Sequence, residues 1–213
     1  MNRNLWNADN MEMHATGVSK GEWIFSADFD RTATYLADLK KILGFNPFCY
    51  NVELTDTENV YIWNFRVTDP QNNPFDIIFF VEQSEEQHVE LPDHIECADP
   101  DDLTEEMIKS YTVRKKVKWT HHPVGRKISD PKKYLFEGKV SGDMDIQRVG
   151  VNKTKVHFDL KVDVRFLLYP AFRIVPKKIV RTMVNGGMTF IMQTATNSMF
   201  HAMSKDFCKI HKI

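Results

Sequence analysis

Cysteine is scarce in this chain of 213 residues: Cys49, Cys97 and Cys208 are far apart, odd in number and without a CxxC pair. That argues against a disulfide-stapled scaffold and for free thiols in a reducing compartment, the cytoplasm. Long uncharged apolar runs are missing too. No stretch approaches the roughly 18–20 apolar residues of a membrane span. The opening MNRNLWNADNMEMHATG lacks the apolar core of a secretory signal. Net charge almost vanishes, at -1 from 28 basic and 29 acidic residues, so nothing global favours a nucleic-acid partner. Catalytic signatures are absent as well: there is no GxGxxG, no GxxxxGK[ST], and no Ser-His-Asp or Cys-His pattern. No catalytic residue, metal ligand or cofactor is therefore assigned.

What the chain does have is phenylalanine and methionine. Phe, at 15, exceeds Tyr (6) and Trp (4) together, and Met numbers 10. Both suit an apolar interior that adapts to irregular shapes. A chain of this length buries most of its apolar surface in one core without staples.

Patterning gives a clear order of elements. Residues 1–17 are polar and aperiodic, which reads as a loose arm before one domain at 18–213. The run GEWIFSA at 21–27 alternates as a first strand. Tyr35, Leu36, Leu39, Ile42 and Leu43 then follow helical spacing over 32–43, with Asp28 or Asp30 as a cap and Gly44 as a stop. Six more strands are expected at 49–55, 59–68, 75–82, 111–121, 134–148 and 152–168, the last two joined as a hairpin around Gly150. In the final strand, Val156, Phe158, Leu160, Val162, Val164 and Phe166 alternate with polar residues without a break. Gly138 and Gly142 fall on the apolar face of the strand before it, where they permit strong curvature or close approach.

From Lys177 to Phe207 there is no proline, which allows a helix of about 30 residues, roughly 45 Å long. Val184, Met188, Ile191, Met192, Ala195, Met199, Ala202 and Met203 gather in one arc of about 100°, a core-facing stripe. Thr182, Thr189, Gln193, Thr196, Asn197 and Ser204 gather on the opposite side. Gly186-Gly187 costs the helix about 1 kcal/mol per glycine, through either a bend or a close backbone contact. An acidic stretch running from Glu82 to Glu106 reads as a solvated excursion, placed at 84–109, with a short helix at 102–109.

The entry GEWIFSADFDRTATYLADLKKILGFNP and the terminal PKKIVRTMVNGGMTFIMQTATNSMFHAMSKDF resemble the first strand with its helical pair, and the gripping helix, of the START and Bet v 1-like superfamily. That superfamily includes polyketide cyclases, aromatases and lipid-transfer proteins. The resemblance implies an α+β helix-grip fold: a curved seven-stranded antiparallel sheet wrapped around the long C-terminal helix, with a short helical segment after strand 1. It also implies an apolar cavity between sheet and helix for a lipid-like or polyketide-like molecule. The residues expected to line that cavity are Trp63, Phe65, Phe79, Trp119, Phe136, Met144, Met188, Met192 and Met199. A cyclase or aromatase acting in the same cavity is the alternative, and a groove for a partner helix the third reading.

Lys115 is the polar candidate. It shares a strand face with Tyr111, Val113, Val117 and Trp119, so it either anchors a ligand's acidic end or turns out to the rim. His88, His94 and Cys97 match no strong zinc spacing and read as loop. Leu167, Tyr169 and Phe172 lie in an apolar turn flanked by bases, which either touches a membrane transiently or packs over one end of the sheet.

Overall fold

The computed structural model describes residues 12–68, 74–91, 103–125, 130, 134–167 and 176–211. Seven strands form one sheet in the order β1-β7-β6-β5-β4-β3-β2. They are β1 (Glu12–Phe25), β2 (Cys49–Leu54), β3 (Val60–Thr68), β4 (Pro74–Val89), β5 (Thr112–His121), β6 (Leu135–Gly150) and β7 (Lys153–Leu167). The helices are α1 (Phe29–Ala37), α2 (Leu39–Gly44), α3 (Glu105–Tyr111) and the long α4 (Lys177–His211). This is the α+β arrangement expected from the sequence.

Sheet neighbours along that order all pair antiparallel, and β4 and β6 make one further, parallel pairing. β5 covers only the second half of β4, from Val81 to Val89. Past its end, Asp76 to Phe79 of β4 pair in parallel with Leu135 to Gly138 of β6. Gly138 makes that closure feasible, because a Cβ there would lie 2.2 Å from the ring of Phe79. Gly142 has the stricter need: its Cβ would lie 2.3 Å from the backbone oxygen of Asp159 on β7. Backbone cannot swing aside as a side-chain tip can, so glycine is required where β6 and β7 press together.

The helical segment at 32–43 is two helices rather than one. Asp28 caps α1 by accepting from the Arg31 amide, and Asp38 caps α2 by accepting from the Lys41 amide. A cap residue in the middle of an apolar pattern ends one helix and begins the next.

Two boundaries differ from expectation. β1 begins at Glu12, so the part of the expected arm at 12–17 is strand, paired from Glu12↔Leu167 to Gly17↔Val162. Its inward residues Met13, Ala15, Gly17 and Ser19 are buried but mostly small, which hides the alternation. They are small because α4 lies against them: a Cβ on Gly17 would lie 2.4 Å from Met188 Cγ and 2.5 Å from Met192 Sδ. β4 runs on to Val89, so the first part of the expected acidic excursion is strand as well. Its acids meet the basic strand β5: Glu85 pairs with Lys115 at 2.6 Å, and Glu86 pairs with Lys118. Cross-strand opposite charges are what hold this polar half of the ladder. The short helix expected at 102–109 is α3, displaced to Glu105–Tyr111 and capped by Thr104.

Thr182, Asn197 and Ser204 on the polar side of α4 are exposed, but the rest of that side faces β1. Asn185 accepts from the Thr16 amide at 3.0 Å and Thr189 from the Val18 amide at 3.3 Å. Gln193 accepts from the Lys20 amide at 3.0 Å and donates to the Lys20 carbonyl at 2.8 Å. Ser19 donates to Thr196 at 2.7 Å in a buried contact. The spacing explains the match: four helical residues rise about 6 Å and two strand residues about 6.6 Å. Side chains at 185, 189 and 193 therefore stay in step with alternate amides of β1. An otherwise bare sheet edge is covered by a helix.

Candidate functional site: an apolar cavity beneath the long helix

The inward face of the sheet and the inward face of α4 enclose one aromatic seam. Trp23 of β1 stacks on Phe200 of α4 at 3.5 Å between ring centroids. Phe200 meets Phe158 of β7 at 5.7 Å, Phe158 meets Trp119 of β5 at 5.8 Å, and Trp119 meets Trp63 of β3 at 5.8 Å. Five rings on five elements thus tie the edge of the sheet to its far side. The three edge-on or tilted contacts among them add about 0.5–1.5 kcal/mol per pair beyond burial.

Beside the seam lies a cavity of about 90 Å3. Of the residues expected from the sequence, Trp63, Phe65, Phe79, Trp119, Met144, Met188, Met192 and Met199 line it. The structure adds Leu39, Ile42 and Leu43 from α2, Val140, Phe158, Leu160 and Val162 from the sheet, and Ile191, Ala195 and Phe200 from α4. The three β7 residues carried a signal, since they continue the unbroken alternation noted above. Phe200 carried none, because it lies outside the methionine arc.

Phe136 and Lys115 are not in the lining. Phe136 is buried, but it lies within the parallel pairing of β4 and β6, opposite Ile77, and stacks on Phe75 at 5.9 Å. Lys115 does stay on the inner side of β5, directly opposite the buried Ile146. Its ammonium is engaged by Glu85, so the chain itself supplies the acid that a ligand was expected to bring. Leu167 is the last residue of β7, while Tyr169 and Phe172 lie outside the described residues. So do His94 and Cys97. Among the described residues no group of three His, Cys, Asp or Glu side chains could hold a metal. No helix among them is long and apolar enough to cross a membrane.

The chemistry of the wall is narrow. No lining residue is titratable; Asn46 and Thr196 are its polar side chains apart from two indole N–H groups. Those two groups differ. Trp119 Nε1 donates to Gln83 Oε1 at 3.1 Å. Trp63 Nε1 is buried and has no hydrogen-bond partner. The nearby thiol of Cys49, on β2, is pushed up to about 11 by burial, which keeps it protonated and unreactive.

The lining is deepest at Trp63, Trp119, Met144, Met199 and Phe200, all 3% exposed or less. It is shallowest at Asn46, Phe48, Val67, Met188 and Ile191, which are partly or well exposed. The mouth is therefore bounded by the end of α2, the end of β3 and the first half of α4. Gly186 and Gly187 lie in that half with open space where a Cβ would stand, so no close contact requires them.

No family model matches the chain, and no curated protein matches it. Solved structures with a similar arrangement do exist. The Zhui aromatase/cyclase from Streptomyces sp. R1128 is 11% identical, with 90% of this chain and 93% of that chain covered and a TM-score of 0.49. A STAR-related lipid transfer protein fragment from Xanthomonas axonopodis is 11% identical, with 88% and 84% covered and a TM-score of 0.48. Human STARD10 is 14% identical, with 90% and 66% covered and a TM-score of 0.48.

Proposed function

We propose that this protein binds, and carries, an uncharged hydrophobic small molecule of lipid-like or polyketide-like character in the cavity under α4. The observation that carries the reading is the wall: apolar and aromatic on every side, and free of titratable groups. Apolar voids of this kind hold apolar guests, and a void of about 150 Å3 takes benzene. At about 90 Å3 this cavity is smaller than that and has room for a short chain as it stands. Pockets for larger ligands run to about 300–1,000 Å3. A larger guest therefore requires Met188, Met192 and Met199 to rotate away, which their three soft torsions allow at low cost.

Chemistry of the cyclase or aromatase kind would use the same space but needs an acid or base within reach of the reacting atoms. Lys115 is held by Glu85, and neither Tyr111 nor Asn64 lines the cavity, which favours binding without turnover. Depth favours a small molecule over a partner helix, because the inner wall is fully buried. The cytoplasm is the proposed location, supported by the free thiols of Cys49 and Cys208.

The test is titration with N-phenyl-1-naphthylamine, a neutral fluorescent probe. Saturable binding at one site is expected, and Ala195→Leu, which fills the cavity from α4, should weaken it at least about tenfold, the equivalent of about 1.4 kcal/mol. Absence of saturable binding, or equal binding by the filled variant, would overturn the reading.

A further inference from the structure

We infer that α2 is the movable lid of this cavity, and that Lys41, clasped to Asp206 of α4, holds it shut. This deepens the reading proposed above and rests on it, since a carrier needs a way in. The cavity of about 90 Å3 is well below the roughly 300–1,000 Å3 of pockets for larger ligands, and its inner wall is fully buried. Part of the wall has to move before a lipid-like guest enters.

The three borders of the mouth differ in how they are held. The end of β3 lies between β2 and β4, with a ladder on each side. The first half of α4 is fixed by Asn185 and Thr189, which accept from amides of β1. α2 has neither support. It is six residues long and, among the described residues, makes no backbone hydrogen bond to the sheet or to α4. It is also bracketed by places where the chain turns. Asp38 caps both α1 and α2 and has a non-helical ψ of 81°. Gly44, at the other end, has open space where a Cβ would stand. Hinges are built from a few such element-terminal residues.

The underside of α2 is apolar, with Leu39, Ile42 and Leu43 all lining the cavity. What joins it to α4 besides that burial is a polar clasp. The Lys41 ammonium lies 2.9 Å from Asp206 Oδ2 and 4.5 Å from the centroid of the Tyr35 ring on α1. The Tyr35 hydroxyl donates to the same Asp206 oxygen at 2.9 Å. Among the described residues this is the one ion pair that α2 makes. Its two side chains are 33% and 29% exposed, so water and salt reach it, and it tips the balance between shut and open without locking it.

The experiment follows N-phenyl-1-naphthylamine entering and leaving by stopped-flow fluorescence. Lys41→Met keeps the stem and removes the charge, and Asp206→Asn removes the partner. Each variant should raise the entry and release rates together by roughly 2- to 5-fold, the range of a partly exposed ion pair, with Kd held within about twofold. The double variant should be no faster than the singles, because both changes break one contact. Lys155→Met, which breaks an ion pair with Glu22 between β7 and β1, should change neither rate.

A second measurement uses the intact chain and does not depend on a variant folding. Sodium chloride at about 1 M should bring its rates up to those of Lys41→Met and leave the rates of that variant in place. If the probe binds saturably but its rates are equal in the intact chain and Lys41→Met, or rise as much in Lys155→Met, the lid inference falls while the cavity reading stands. Faster release with unchanged entry would mean that the clasp supports the bound state alone, and it overturns the lid as well. If the probe does not bind, both readings fall.

Discussion

Among individual residues, the most telling electrostatic feature is the Arg114–Asp145 pair between β5 and β6. Nε and Nη2 of Arg114 donate to the two carboxylate oxygens at 2.8 and 2.6 Å, and Gln147 adds a bond at 2.9 Å. Burial pushes the Asp145 carboxyl up, but these donors more than offset it and hold it below the usual carboxylate range. A carboxylate depressed by folding contributes stability that is present above its unfolded value near 3.9 and is lost as pH falls through the folded one. Arg114→Met should therefore lower the urea midpoint at pH 7, because it removes the donors that offset the burial of Asp145. That difference should shrink as pH falls below about 4, where the carboxyl without its arginine protonates first and the paired one only further down. Urea unfolding at pH 7 and at pH 3.5 measures it; an equal difference at both values would remove the assignment. Lys115 teaches the complementary lesson. Its place on an inner face was readable from alternation, but its partner was not, because Glu85 lies 30 positions earlier, in a stretch that looked like loop.

At the level of elements, the seam between α4 and β1 sets the position of the helix. Gln193 makes two hydrogen bonds to the backbone of Lys20, one as acceptor and one as donor. Gln193→Ala should cost about 1–3 kcal/mol, and hydrogen exchange at the Lys20 amide should accelerate while amides in β6 hold. Unchanged exchange at Lys20 would show that the seam is not what protects this edge. The strands were legible wherever one face was apolar and bulky, as in β3, β6 and β7. They were illegible where another rule overrode the pattern. The start of β1 is small inside because a helix presses on it. The end of β4 is charged because its partner strand is charged too. For the same reason the polar side of α4, which periodicity alone assigns to solvent, includes the half-buried Thr189 and Gln193 and the buried Thr196. Hydrogen bonding to a strand edge leaves the same residue types as exposure to water.

For the whole molecule, the cavity couples binding to stability. A guest that binds only the folded chain stabilises it by RT ln(1 + [L]/Kd), about 2.7 kcal/mol at one hundred times Kd. In a protein of about 200 residues that is a rise in Tm of roughly 5–10 °C. Scanning calorimetry with a saturating neutral aromatic ketone should show it, and Ala195→Leu should remove it. A flat Tm would mean that the guest does not reach the core. The candidate wall was largely readable from the sequence, since eight of the expected residues line the cavity. What no local pattern could give was the state of its two indoles. Trp63 and Trp119 look alike in the sequence, and only their neighbours in space make one indole satisfied and the other not.

The division of labour along α4 has a consequence for how such a site could diversify. Amide and hydroxyl side chains at 185, 189, 193 and 196 lock the rod's height and rotation, while thioethers at 188, 192 and 199 shape the hollow beneath it. Because the two sets interleave on one helix without sharing a task, exchanging the second set re-sculpts the chamber and leaves the scaffold undisturbed.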